Sequence, residues 1–116
     1  MNMVQISAIR AAVHANTDDA VKLSEQLFEY AELPYHELKS GKAMVELLEK
    51  VGFEVEYPFF QQELGYGSAY RATLRNGAGP KVAFLSEYDA LPGIGHGCGH
   101  NLHGYVSQDG LLLPPR

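Results

Sequence analysis

Five glycines stand between Gly93 and Gly104, and interleaved with them are His96, Cys98, His100 and His103, three of the chain's five histidines and its single cysteine. Glycine adopts backbone conformations closed to other residues, so this stretch can turn sharply and carry its side chains toward a common centre. The side chains it carries are nitrogen and sulfur donors, which zinc and neighbouring transition metals select. In His96-x-Cys98-x-His100 alternate side chains fall on one side of an extended segment. Two or three of them can then reach one ion at roughly 2.0–2.3 Å. A structural zinc finger is not indicated, because it needs a second ligand pair about 12–20 residues away.

Whatever fold the chain adopts must present that loop, and the residues before it say how. Val82, Ala83, Phe84 and Leu85 form a continuous apolar run, which predicts a strand buried on both faces of a layered α/β sheet. Glu87, Tyr88 and Asp89 follow at its carboxyl end, where open α/β sheets place their ligand sites. Two earlier strands are predicted. In one, Phe53 and Val55 alternate with Glu54 and Glu56; in the other, Tyr70, Ala72 and Leu74 alternate with Arg71, Thr73 and Arg75. The turn "NGAGP" separates the latter from the apolar run.

Helices are predicted in the first half. Loose helical spacing covers residues 4–15, and Asn16, Thr17 and Asp18 are N-cap residue types, so a helix should restart there and carry Leu23, Leu27 and Tyr30 to a stop near Glu32, ahead of Pro34. Ser40 is the expected cap of a further helix with Met44, Leu47, Leu48 and Val51 on one face, closed by Gly52. The expected class is therefore α/β, with two or three helices and three or more strands.

A length of 116 residues fits one domain, and 46% apolar with 20% charged residues is ordinary globular composition. The net charge of −5 offers no basic stripe, which argues against nucleic acid and an anionic membrane as partners. A lone cysteine forms no intramolecular disulfide, and neither a secretory leader nor a run of roughly 18 apolar residues is present, so a reducing cytoplasm is expected.

"LSEYDALPGIGHGCGHNLHG", with "YAELPYHELKS" upstream, resembles the amidohydrolase branch of metallopeptidase family twenty, which includes aminoacylases, hippurate hydrolases and aminobenzoyl-glutamate hydrolase. Within that branch the residues look most like the subgroup that cleaves peptide-like amides, including β-alanyl dipeptidases. The resemblance covers about residues 27–104. It implies a three-layer αβα metallo-hydrolase catalytic domain, with residues 1–104 as its N-terminal part and 105–116 as an atypical truncated tail in which Pro114 and Pro115 cannot continue a helix.

The resemblance also assigns roles. Asp89 would sit behind the metals and tune a ligand or the catalytic base, Cys98 and His100 would be metal ligands, and Glu87 would stand where other branches carry a ligand histidine. His103 would lie near the site without direct coordination, and His96 is a candidate for the same place; for both, a ligand role and a merely solvated or hydrogen-bonded loop histidine stay open. One or two divalent ions, zinc or manganese, would activate water against the amide of an N-acyl amino acid or a dipeptide. The family's glutamate base lies further downstream, so the chain is expected to be an N-terminal fragment, inactive alone, of a parent that forms a homodimer.

Other readings of the same residues stay open. Cys98 also suits a buried free cysteine, or a thiol nucleophile activated by histidine, and Asp89 suits an Asx-turn. His14 and His36 have no partner pattern and are expected on the surface, and Glu37 is expected to be structural. The chain as a whole also suits a non-catalytic metal-binding or interaction module.

Overall fold

A computed structural model describes residues 2–60 and 67–104. The first helix, α1, runs unbroken over Met3–Tyr30. Its start is a capping box: the Asn2 side chain accepts the Gln5 N–H at 2.9 Å, and the Gln5 side chain accepts the Asn2 N–H at 3.0 Å. The expected break at residues 16–18 does not occur. Asn16 Nδ2 donates to the Ala12 carbonyl and Thr17 Oγ1 to the Val13 carbonyl, each at 2.8 Å, so side chains that cap a helix from outside are satisfied one turn back within it. The helix stops where expected. Ala31 takes a left-handed conformation, φ 43°, and donates its N–H to Leu27.

The second helix, α2, covers Leu38–Lys50 and starts two residues before Ser40, which is fully buried inside it instead of capping it. The cap comes from a distance. The Glu32 carboxylate accepts the N–H groups of Lys39 at 3.0 Å and Ser40 at 2.6 Å, two donors that a helix N-terminus leaves without an internal partner. At the other end Gly52, φ 100°, donates to Glu49 while Phe53 donates to Leu48, both at 3.0 Å, which is the Schellman exit that the glycine predicts.

Beyond that exit β1, Glu54–Glu56, pairs antiparallel with β2, Arg71–Thr73, with Val55 opposite Ala72. The helix α2 packs against both α1 and β1. Gly41 is the close contact between α2 and the segment before β2, since a Cβ there would stand 2.7 Å from the Ser68 carbonyl oxygen. The core gathers Leu23 and Leu27 from α1, Met44 from α2 and Tyr88, with Ala43, Leu47 and Tyr70 packed around them.

The strand expected at 82–85 is absent. Residues 81–90 join no β ladder among the described residues, and Val82 and Leu85 are 76% and 90% exposed. An apolar run becomes a two-sided buried strand only where neighbouring strands take its backbone groups and layers cover both faces. The described residues supply a sheet of two three-residue strands bonded to each other, so the α/β class is seen without a third strand or three layers. No helix among them is long and apolar enough to cross a membrane.

Candidate metal centre

The segment after β2 is fixed from behind: the Ala90 N–H donates to the Glu32 carbonyl at 2.7 Å, directly after Asp89. Leu91 and Gly95 then exchange backbone hydrogen bonds at 2.9 and 3.1 Å, closing a tight turn in which Gly93 and Gly95 hold positive φ. The glycines thus turn the chain as their density predicts. Residues 100–104 are helical, so His100 and His103, three apart, present themselves on one face.

That face meets two carboxylates. His100 Nδ1 stands 2.8 Å from Asp89 Oδ1, while Nε2 of the same ring stands 3.2 Å from Glu87 Oε2. His103 Nδ1 lies 3.7 Å from that same Glu87 oxygen. One ligand atom from each of Glu87, His100 and His103 lies within 4.8 Å of the others.

These distances carry a chemical meaning. A neutral imidazole that donates Nδ1–H to Asp89 has its lone pair at Nε2, which here faces a carboxylate oxygen. Two acceptors at that separation require a proton or a cation between them. Nitrogen and oxygen ligands at about 2.0–2.2 Å around a tetrahedral ion stand about 3.3–3.6 Å from one another, close to the spacings around Glu87 Oε2. The histidine held by a carboxylate on its far nitrogen is also the usual way in which a metal-binding ring is oriented. The donor set therefore fits a divalent ion.

The other expected residues are placed differently. Cys98 is exposed and lies outside the Glu87–His100–His103 group, and His103 is a member of it. His96 turns away. Its ring is buried, stacked on Phe28 at 6.4 Å between centroids, and its Nε2 donates to the Leu27 carbonyl at 2.8 Å. His14 and His36 are exposed, as expected.

Two residues that hold this region escaped the sequence reading. Glu32 links the end of α1, the start of α2 and Ala90. Asn101 Nδ2 donates to Ser24 Oγ on α1 at 3.1 Å. Asn101 directly follows His100, which was the available signal; nothing in the sequence around Glu32 announces its contacts. Glu37 accepts the Ser68 hydroxyl at 2.6 Å, and the Tyr88 hydroxyl donates to the Ser68 carbonyl. Burial, then the nearby Tyr70, Glu37 and Tyr57, pushes the Tyr88 hydroxyl well above its ordinary range, so it stays a neutral donor.

A pocket of about 230 Å³ opens beside Glu87 and Asp89 and is lined also by Tyr35, Glu37, Ser68 and Tyr88. A larger depression of about 550 Å³ runs over Lys22, Glu25, Phe28 and Asn101 and includes no member of the metal group, so the smaller pocket is the one placed for chemistry.

The chain is 39% identical to the Xaa-Arg dipeptidase of Mus musculus over 69% of its own length and 20% of that protein's. It is 30% identical to a p-aminobenzoyl-glutamate hydrolase chain of Escherichia coli over 80% of its length and 22% of that protein's. The chain belongs to the amidohydrolases of metallopeptidase family twenty. Thermostable carboxypeptidase 1 of Saccharolobus solfataricus is 28% identical over 93% of this family-twenty chain and 30% of its own length. The chain thus spans between a fifth and a third of the length of these relatives. No family model matches it.

Proposed function

We propose that the chain contributes part of the metal centre of a metal-dependent amidohydrolase that cleaves dipeptides or N-acyl amino acids. The observation that carries this is His100, held at Nδ1 by Asp89 with Nε2 facing Glu87. Glu87, His100 and His103 would hold the ion, and Asp89 fixes the His100 tautomer. Cys98 is proposed as a further ligand from the turn before His100; a thiolate favours zinc over manganese. A bound divalent ion would polarise the amide carbonyl and lower the pKa of water.

The remaining work falls to the chain's own groups. The pocket beside Glu87 and Asp89 receives the substrate, and its carboxylates, with no lysine or arginine lining it among the described residues, suit a substrate that carries a positive charge. The relative named Xaa-Arg dipeptidase agrees with that preference. Each nearby carboxylate is engaged: Glu87 faces the two histidines, Asp89 holds His100, and Glu37 accepts from Ser68. Among the described residues a general base within about 3 Å of the activated water is then not supplied, and the 116-residue chain alone is proposed to be inactive. A second reading, a non-catalytic metal-binding or interaction module, draws on the exposed Val82 and Leu85.

Zinc and manganese titrations of the wild type and of Glu87→Gln plus His100→Ala protein test the site, followed by assays on dipeptides and N-acyl amino acids. Binding that the double substitution abolishes is expected, without turnover. Tight binding that survives the substitutions would overturn the site. Chelator-sensitive turnover lost in His100→Ala protein would overturn the claim of inactivity.

A further inference from the structure

Apart from the His100–Asp89 contact, the side-chain hydrogen bonds that hold the turn bearing His100 and His103 and the loop before it go to one place, the last turns of α1. His96 Nε2 donates to the Leu27 carbonyl at 2.8 Å from the loop before the turn, and Asn101 Nδ2 donates to Ser24 Oγ at 3.1 Å from within it. Ala90, directly after Asp89, donates to the Glu32 carbonyl just past the end of α1. Both halves of the metal group, the carboxylate segment and the histidine turn, are therefore referenced to the same helix end.

His96 is an odd choice for a purely packing position. Its ring is 8% exposed, and its Nδ1 is buried with no partner among the described residues, so the histidine accepts an unsatisfied polar atom that a leucine would avoid. What the histidine supplies in return is Nε2–H. The Leu27 carbonyl already receives the Ala31 N–H at 3.1 Å, so it is satisfied without His96, and the second bond serves the loop and not the helix.

Resting on the metal-centre reading above, we infer that His96 and Asn101 are positioning residues for the metal group: neither touches the ion, and both set the register of the His100–His103 turn against Glu87 by anchoring it to α1. Partners one contact removed from a ligand change metal affinity by roughly 10–100-fold when lost. The tether is a donor at one point in space, so an amide nitrogen delivered to that point should replace it.

The test uses the full 116-residue chain with cobalt(II) as a probe, read by its visible absorption and by titration, alongside far-ultraviolet circular dichroism and melting. His96→Leu is expected to weaken cobalt binding roughly 10–100-fold and alter the spectrum while the helical signal is kept. His96→Gln, which carries an amide N–H, should restore most of the affinity, and Asn101→Leu should weaken it as His96→Leu does. Wild-type affinity and spectrum in both His96→Leu and Asn101→Leu would overturn the inference. So would equal loss in His96→Leu and His96→Gln, which would mean that the ring's packing and not its donor matters. Should His96→Leu fail to fold, retained binding in His96→Gln with loss in Asn101→Leu supports the inference, and no loss in Asn101→Leu overturns it. Wild-type protein that takes up no cobalt overturns the metal-centre reading first, and this inference with it.

Discussion

Replacing Glu32 by alanine should destabilise the protein far more than a half-exposed glutamate ordinarily does. Its carboxylate accepts two N–H groups from the first turn of α2, and Glu37 at the N-cap position makes no side-chain cap bond. Losing a cap costs about 0.5–2 kcal/mol, and removing a negative charge from a helix N-terminus adds about 0.3–1 kcal/mol. The sum for Glu32→Ala is about 2 kcal/mol, which for a domain near this size lowers the melting temperature by roughly 8–16 °C. Glu32→Gln keeps one acceptor oxygen but neither the charge nor the second bond, so about 1 kcal/mol is expected. Urea unfolding followed by circular dichroism measures both, with the slope unchanged because the exposed surface is the same. A second readout is independent of folding energy. Burial and then the Glu32 charge raise the Tyr57 pKa, so Glu32→Gln should lower it, as seen in a tyrosinate absorbance titration. A Glu32→Ala protein within about 0.5 kcal/mol of wild type, the range of ordinary surface substitutions, would refute the remote cap.

A Cβ at position 104 would stand 2.7 Å from Met44 Sδ and 2.9 Å from its Cε, and Met44 is fully buried, so Gly104→Ala should cost about 1–3 kcal/mol in urea and weaken zinc binding together. Tyr57, Tyr70 and Tyr88 all titrate above the unfolded value of 10.0 when folded, chiefly through burial. Their contribution is complete below that pH and is lost as pH rises through the folded values, so the urea midpoint should fall steadily above pH 10; a flat midpoint there contradicts the burial of these hydroxyls. Glu87→Gln should weaken zinc binding by more than the roughly 10–100-fold of losing an outer partner. Cys98→Ser should erase any preference for zinc over manganese, and an unchanged preference removes Cys98 from the ligand set.

Features with a single local cause were legible in the sequence. Gly52 ends α2 because a positive φ at that point admits glycine, and the glycine-rich turn brings a histidine to the carboxylates at 87 and 89. Features set by distant partners were not. Asn16 and Thr17 have two ways to satisfy their side chains, and which one applies depends on whether the helix continues beneath them. The run 82–85 is apolar enough for a core strand, yet strand formation depends on neighbours that the run itself cannot specify. That His103 stands beside Glu87 depends on the helical phase that begins at residue 100, which alternate spacing in an extended chain does not convey.

Every buried residue of α1 lies between Ala20 and Leu27. The seventeen residues from Met3 to Asp19 are helical without burying any residue, held by the Asn2 cap, by bonds within the helix and, at its last residue, by the exposed Asp19–Lys50 ion pair. Most helical stability in proteins comes from packing of one face against a core, so this part, which gains little from the core, should open on its own. Amide hydrogen exchange will accordingly divide α1 near Ala20, fast before it and slow after it. A protease will trim the fast half first and leave behind a shortened helix that still carries Ser24 and Leu27.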